Sequence, residues 1–357
     1  MRPIRSRLTL AALALMISVL IPLRSFAQDH APYTILHLTP PFGTPLYTEG
    51  NALESVFKKS GSWIQWKAQE TPGGLYQNKY TFDNLEKMKS GDMPPVVVTT
   101  SAATFPWTKE GRPPLDKTPH TESGALFSTS SYISVFLTFD PKIASTRDFA
   151  GKKVGIPEKS RIFASTLPLM PYFKKGLGIW DKVEWQYIGV TNSKDALLND
   201  RIDVHAATFM GRAEEAPDGS FVCTAAAPGP PEMELMNSGR KFHVVPFDPE
   251  VVKRSYDFSK DMMLYPILIK KGAIKGIEQN VWGIVANGVT KAAIPLPAEV
   301  VAEIIRVRYE YRKELAKFHA TLNFYPQNPY PAGVPEKWIA PGVKEAVLSL
   351  GLEIPKQ

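Results

Sequence analysis

The first hundred residues alternate short apolar runs with segments of helical spacing. The runs Tyr33–Thr39, Ile64–Glu70 and Pro95–Ser101 are rich in β-branched and apolar side chains, which favours buried strands. Between these runs, apolar positions recur with helical spacing within residues 50–59 and again within residues 80–89. Alternation of strands and helices predicts an α/β sheet with helices on both faces.

The pattern becomes irregular after Ser101, and no element is assigned over residues 102–130. Ser131–Phe139 is then strongly β-forming, and Trp282–Thr290 is a second long apolar run. The other predicted elements are strands at Val183–Ile188, Asp200–Phe209 and Lys241–Phe247 and helices at Glu232–Gly239 and Pro297–Arg312.

The segment Asp148–Arg161 combines a strand, a turn and a predicted helix start. A polar turn at Gly151 leads into a short apolar strand, which ends at Gly155 and Pro157. Ser160 is a suitable cap for a helix that begins at Arg161. Because a helix N-terminus presents unpaired N–H groups and a partial positive charge, this segment is predicted to hold an anion. The alternative is that Arg161 is only a solvated charge on the helix.

Residues 1–27 have the pattern of a secretory signal peptide. Arg2, Arg5 and Arg7 form a basic start, residues 8–20 form an uncharged apolar core, and Ser25-Phe26-Ala27 is a small-x-small cleavage site. The apolar run is short for a membrane span, although an uncleaved anchor is the alternative. We therefore expect an exported protein that begins at Gln28.

Charge and cysteine content agree with an exported globular protein. The whole chain has a formal charge of +7, and removal of the four arginines in residues 1–27 leaves +3 on the mature chain. That charge is too low to indicate a nucleic-acid partner. Cys223 is the only cysteine, so no disulfide can form within the chain.

No catalytic or metal-binding motif is present. The six histidines are scattered, and the chain has no HExxH, no Gly-x-Ser-x-Gly and no phosphate-binding P-loop. His37, His205 and His243 fall inside apolar strands, where core positions are expected. Cys223, close to a run of alanines, is expected to be a small buried residue rather than a nucleophile. The sequence therefore predicts neither a cofactor nor a metal.

Two segments in the middle of the chain carry a family resemblance. DFAGKKVGI (148–156) followed by ALLNDRID (196–203) resembles the "DLKGKRV…ALxxGxIDA" frame of periplasmic solute-binding proteins with the type II fold. Within that group the chain is most similar to the TAXI family, the extracytoplasmic receptors of TRAP transporters. Further partial matches in family order are ETPGGLYQN (70–78), MKSGD (88–92), IDVHAATFMG (202–211) and FHVVPFD (242–248).

The resemblance implies a two-lobed periplasmic binding protein-like II fold, an α/β architecture with doubly wound sheets joined by two crossing strands. The crossings are expected near Ser134–Phe136 and Val285–Asn287. Residues 28–133 would form the first part of lobe 1, residues 134–284 lobe 2, and residues 285–357 the rest of lobe 1.

The implied function is capture of a small organic acid or amino acid-like ligand between the lobes and its delivery to a TRAP-type membrane transporter. The protein would be a periplasmic monomer with an anionic small-molecule ligand and the transporter subunits as partners. Two alternatives remain open, namely a ligand sensor for a membrane kinase and an enzyme built on the same fold.

Ligands of open α/β sheets bind beyond the carboxyl ends of the strands, which predicts a ligand-binding rim. The predicted ligand-binding residues are Thr39, Thr44, Tyr47, Thr71, Gly73, Thr99, Thr100, Ser101, Ser160, Arg161 and Thr208. The TAXI loop "TGGxxGxYY" is matched only at Gly43 and Tyr47, and nearby prolines remove backbone donors. Side chains of Thr39, Thr44 and Tyr47 are therefore expected to replace those donors.

The signal peptide gives the first prediction. Expression with export should yield a chain that begins at Gln28, because the small residues Ser25 and Ala27 flank the cleavage site. N-terminal sequencing of the periplasmic extract checks this, and a chain that begins at Met1 or is recovered only with membranes would contradict it.

Overall fold

The computed structural model describes residues 30–113, 115–162, 164, 166–256 and 264–355. The predicted signal peptide lies outside the described residues. Within the described ranges, none of the helices has the length and apolar character that a membrane span requires.

The described chain folds as alternating strands and helices. The strands are β1 (Tyr33–Thr39), β2 (Ile64–Glu70), β3 (Val96–Ser101), β4 (Gly124–Thr138), β5 (Lys153–Ile156), β6 (Glu184–Tyr187), β7 (Val204–Glu215), β8 (Phe221–Pro228), β9 (His243–Val245), β10 (Tyr265–Ile269) and β11 (Val281–Ala292). The helices are α1 (Pro45–Lys59), α2 (Gly74–Asp83), α3 (Leu85–Ser90), α4 (Phe105–Lys109), α5 (Thr166–Met170), α6 (Val190–Leu198), α7 (Pro230–Met236), α8 (Pro249–Ser255), α9 (Ala298–Glu310), α10 (Arg312–Leu315) and α11 (Val343–Ser349). A π-helical turn continues α5 over Pro171–Gly176, and short 3₁₀ turns connect several elements.

The described strands form one continuous mixed sheet with two halves. In the first half, β1 lies between β2 and β3 and is parallel to both. In the second half, β5 is parallel to β6 and β7, and β7 pairs antiparallel with β8 and β4. Parallel strands need crossover connections, which the helices provide.

The long strands β4 and β11 connect the two halves of the sheet. They pair antiparallel with each other, and β11 pairs with β10 over Val281–Val285 and with β3 over Gly288–Ala292. The register of β4 and β11 shifts between Ala286 and Gly288, which marks a bulge at the crossing. A side chain at Gly288 would meet the Ser130 carbonyl oxygen at 2.3 Å, so this crossing requires glycine.

Helix α1 begins five residues earlier than the apolar spacing indicated. Thr44 is its N-cap and accepts a hydrogen bond from the Tyr47 N–H at 3.3 Å, and Pro45 occupies the first turn. Proline is well suited to that position because its missing N–H has no partner in a helix start. Pro45 therefore favours the start of helix α1 at this position, in addition to removing a backbone N–H donor.

An aromatic cluster forms the centre of the second half. Phe136 on β4 is fully buried, with its ring centroid 4.9 Å from that of Phe149, 5.8 Å from that of Phe173 and 5.1 Å from that of Phe247. Edge-to-face and tilted pairs at these distances add to the hydrophobic contribution. The cluster therefore fixes β4 against the helices of this half.

The sequence prediction was wrong or incomplete at several elements. The segment 102–130, which had no assignment, contains α4 and the first residues of β4. Strands β8 and β10 were not predicted. The strand Ser131–Phe139 is real but begins at Gly124, because pairing with β11 orders the whole run.

Loss of the Phe136 ring should destabilise the protein strongly. Phe136→Ala removes a ring from a closed aromatic cluster, and such changes cost about 3–5 kcal/mol. Phe318→Ala is the matched control, because Phe318 is 47% exposed and should change the free energy of unfolding by less than about 0.5 kcal/mol. Denaturant unfolding measures both values, and equal losses would contradict the proposed packing.

Candidate functional site

A cleft lies where the two halves of the sheet meet. The cavity volume of the cleft is about 130 Å³, which is enough for a small organic molecule. The residues around it come from the β3 end (Thr99, Thr100, Ser101), from β4 (Tyr132, Ser134), from β7 (Thr208, Met210), from β11 (Ile284, Ala286), from the starts of α1 and α2 (Thr44, Pro45, Gly74, Gln77) and from the turn after β5 (Pro157, Arg161).

Six of the predicted ligand-binding residues line this cleft. They are Thr44, Thr99, Thr100, Ser101, Arg161 and Thr208. The carboxyl end of β3 thus supplies polar side chains to the site, as expected of an open α/β sheet. Their role in ligand binding stays a prediction.

The other five predicted residues do not line the cleft; they are Thr39, Tyr47, Thr71, Gly73 and Ser160. The Thr71 hydroxyl donates to the Thr39 carbonyl at 2.7 Å, and the Thr39 hydroxyl donates to the Gln69 carbonyl at 3.3 Å. Both threonines are buried and hold the β1 end against the loop after β2. The Tyr47 ring packs on Phe42 with centroids 5.3 Å apart.

The predicted helix start at Ser160 and Arg161 is wrong. Residues Lys159–Arg161 form a single 3₁₀ turn, and the α-helix begins only at Thr166. The Ser160 hydroxyl donates to the Pro72 carbonyl at 3.2 Å, so it connects two loops instead of capping a helix. Ser160 and Arg161 therefore do not form the α-helix N-terminus that was predicted to hold an anion.

A ten-residue helix in the other half of the sheet begins at the cleft. Helix α2 begins at Gly74, which lines the cleft, and its first N–H groups have no partner within the helix. A side chain at Gly73 would meet Cγ of Arg161 at 2.8 Å, and Gly73 has a φ of +128°. Glycine at this position therefore lets Arg161 approach the start of α2.

Arg161 and Glu232 place opposite charges on the cleft. Burial lowers the pKa of the Arg161 guanidinium below its ordinary value, and the nearby carboxylates of Glu158 and Glu232 oppose that shift. Glu232 itself is buried at the start of α7, where Oε1 lies 3.4 Å from the Thr208 N–H and 3.7 Å from Nε2 of His205. The cleft therefore offers a positive group for a ligand anion and a negative group for a ligand cation.

Glu232 was not among the residues predicted to bind the ligand. It falls in the first turn of a predicted helix, where acidic residues are common because they suit the helix dipole. Only the contact of α7 with β7 brings its carboxylate to the cleft, so the sequence alone carried no signal for it.

A serine, a histidine and a glutamate lie in a row, as in a catalytic triad; they are Ser193, His205 and Glu232. In this row the glutamate lines the cleft and the serine is buried, which is the reverse of a triad. The Ser193 hydroxyl lies 2.7 Å from Nδ1 of His205, on the side of the imidazole away from Glu232. In a serine hydrolase the hydroxyl meets the substrate and the carboxylate orients the histidine. Here Ser193 is fully buried and Glu232 faces the cleft, so the serine cannot reach a ligand there.

Cys223 is equally unsuited to covalent chemistry. It is fully buried on β8, and burial raises the pKa of its thiol to about 11. Because the thiolate is the nucleophile, a thiol with such a pKa is inert near neutral pH.

A buried polar cluster lies directly behind the cleft wall. Glu49 on α1 is fully buried, and its carboxylate lies close to the hydroxyls of Tyr325 and Thr99 and to Arg308. Burial raises its pKa to about 7, while the hydroxyls of Tyr325 and Thr99 and the charge of Arg308 oppose the rise. Thr99 also lines the cleft, so this cluster touches the site from behind.

Comparison with known proteins defines the fold class. No protein-family model matches the chain, and its sequence matches none of the curated proteins. MatC from Rhodopseudomonas palustris, solved with bound malate, is 13% identical over 89% of this chain and 97% of MatC, with a TM-score of 0.50. The periplasmic binding protein BugD is 13% identical over 89% of this chain and 95% of BugD, with a TM-score of 0.47.

The chain has the two-lobed α/β fold of periplasmic binding proteins, and the fold predicted from the sequence is confirmed. At this low identity the likeness establishes the fold alone. The lobe boundaries at residues 133/134 and 284/285 stay predictions.

Glu49 should make stability depend on pH. Between about pH 7 and about pH 4.5 the folded protein holds a proton on Glu49 that the unfolded chain has released. The free energy of unfolding of the native protein should therefore rise relative to that of Glu49→Gln as the pH falls through this window, by up to about 3 kcal/mol.

Urea unfolding at a series of pH values measures the effect, with the exposed Glu86→Gln as the matched control. The control should follow the native protein across the window. A native protein and a Glu49→Gln variant with parallel pH profiles would contradict the assignment.

Proposed function

We propose that this protein is an extracytoplasmic solute-binding receptor that captures a small organic acid or amino acid-like ligand in the cleft between its two lobes. The single observation that carries the proposal is a largely apolar cleft with a few polar and charged side chains, lined from both halves of the described sheet, whose halves are joined by the long strands β4 and β11. Such a connection allows the halves to close on a ligand by a hinge motion.

The ligand carboxylate is expected between the start of α2 and the Arg161 side chain. The N–H groups at the start of α2 and the guanidinium are both donors to an anion, and a guanidinium can bind a carboxylate with two hydrogen bonds. This is the same residue as in the sequence prediction, with the helix start now supplied by Gly74 rather than by Ser160.

Glu232 extends the proposal to amino acid-like ligands. Its carboxylate faces the cleft and is held by the Thr208 N–H and by contact with His205. A ligand ammonium group would find its counter-charge there, while a plain organic acid would use Arg161 alone.

Closure would bend the chain at the crossing of β4 and β11. The bulge between Ala286 and Gly288 interrupts the ladder there, next to Tyr132 and Ala286 on the cleft floor. On this proposal residues 28–133 and 285–357 move as one lobe and residues 134–284 as the other.

Delivery to a TRAP-type transporter is the finer part of the proposal, and it rests on the resemblance to the TAXI family. The receptor would act in the periplasm as a monomer that docks on the transporter subunits. A sensor that docks on a membrane kinase would use the same cleft, so pull-down from membranes with the ligand-loaded receptor distinguishes the two.

The test of capture is native mass spectrometry of the protein purified from the periplasm without denaturation. The expected result is an intact small acid or amino acid at one copy per chain, released on unfolding. Conversion of that compound to a product during incubation would favour the enzyme alternative, and a neutral ligand would contradict the anion site.

Arg161→Ala should weaken binding of the co-purified ligand. Loss of hydrogen bonds to a charged group costs about 1.5–3 kcal/mol, which raises Kd about 10- to 150-fold. Calorimetric titration measures Kd for the variant and for Arg147→Ala, a control whose 60% exposed side chain lies on the surface beside Asp248. Equal affinities of the two variants would rule out Arg161 as the anion-binding group.

A further inference from the structure

A smaller side cavity adjoins the cleft within the first half of the sheet. Gly74, Gln77 and Thr100 line both spaces, so the two meet at the start of α2 and the end of β3. The volume of the side cavity is about 30 Å³, which is room for about two water molecules or one small polar group.

A buried lysine lines this side cavity. Lys291 on β11 is 6% exposed, and its ammonium group donates to the Thr108 hydroxyl at 3.3 Å and lies 5.5 Å from the Phe105 ring centroid. None of the described residues that line the side cavity is acidic. Burial, together with the nearby charge of Lys109, lowers the pKa of Lys291 to about 7.

Two residues that line the same space each carry a buried acceptor. Nε2 of His120 lies 2.9 Å from the Asn78 carbonyl oxygen, and because a carbonyl only accepts, Nε2 carries the hydrogen. Nδ1 of the neutral ring is then an acceptor, and it has no partner among the described residues. Oδ1 of Asn78 is in the same state, since Nδ2 of that amide donates to the Thr118 carbonyl and hydroxyl.

The hydroxyl donors around the side cavity are already used. Thr108 donates to the Thr104 carbonyl at 3.1 Å, Thr104 donates to the Ser101 carbonyl at 2.8 Å, and Thr81 donates to the Gln77 carbonyl at 2.7 Å. The residues around the space therefore retain the remaining N–H donors of Lys291 and two acceptors without a partner among the described residues, Nδ1 of His120 and Oδ1 of Asn78.

A group that both accepts and donates fits this set best, because it can accept from Lys291 and donate to one of the two acceptors. A carboxylate would accept from Lys291 but would set its oxygens against two lone pairs, and an ammonium would meet the lysine. A hydroxyl accepts from the lysine and donates to the imidazole or the amide. Because a buried polar atom without a partner is destabilising, a hydroxyl that pairs with Lys291 and with one acceptor gains affinity there.

We propose that the side cavity is a subsite for a hydroxyl group of the ligand, so that the receptor selects hydroxylated acids or hydroxylated amino acids. This inference rests on the proposed function, because the ligand's charged end must first bind in the cleft. Lys291, His120 and Asn78 then determine specificity at its far end.

The test uses matched pairs of compounds in which one hydroxyl is replaced by a methyl group: 3-hydroxypropionate with butyrate, 4-hydroxybutyrate with valerate, serine with α-aminobutyrate, and homoserine with norvaline. Calorimetric titration of ligand-free protein gives Kd for each member. The expected result is at least one pair whose hydroxylated member binds about tenfold or more tightly, as one satisfied hydrogen bond to a charged donor implies.

Lys291→Met keeps the length of the side chain and removes the donors. It should abolish the discrimination within that pair and leave the affinity of the member without the hydroxyl unchanged. Lys291→Gln retains an N–H donor without the charge and should keep part of the discrimination. Lys109→Met is the matched control, since Lys109 is the neighbouring lysine outside the side cavity and should keep all of it.

Two results would overturn the inference alone: equal binding of both members of every pair, or unchanged discrimination in Lys291→Met. Either would mean that the side cavity holds only water. If none of the acids and amino acids binds, and no acid co-purifies, the proposed function fails together with the inference.

Discussion

The antiparallel pairing of β4 with β11 is the interaction on which the rest of the structure depends. These two strands are the ones that pair with both halves of the described sheet, so they position β3 on one side and β7 and β10 on the other. Their bulge at Ala286 and Gly288 lies beside the cleft floor. The pairing that joins the two halves and the cleft therefore lie at the same place in the fold.

Several charged side chains are buried in or beside the cleft at that crossing. Glu49 and Arg308 lie buried behind the cleft, Glu232 faces it, and Lys291 lines the adjoining side cavity. Buried charges are costly unless they are paired or neutralised, and titratable groups with strongly shifted pKa values cluster at functional sites. Their concentration around one cleft favours a binding role for that cleft over a purely structural one.

The two halves contribute different features to the cleft. The first half supplies a helix start and a row of threonine and serine hydroxyls at the end of β3, which are fixed by the strand register. The second half supplies Arg161 and Glu232 on a turn and a short helix. A ligand that touches both sets would hold the halves together, which is how binding free energy can drive closure.

The sequence by itself determined the α/β class and the bounds of β1, β2 and β3 to within a residue. It also placed Thr99, Thr100 and Ser101 at the cleft, because apolar periodicity and strand ends are local properties. Arg161 lines the cleft too, although the helix start from which it was predicted is not formed. The sequence failed for the helix start at Ser160, for β8 and β10, and for Glu49, Glu232 and Lys291. Those features depend on contacts between segments far apart in the chain: Ser160 turns toward Pro72, and Lys291 is buried only because β11 pairs with β3 and β4. Tertiary packing, rather than residue type, decided which charges reach the cleft.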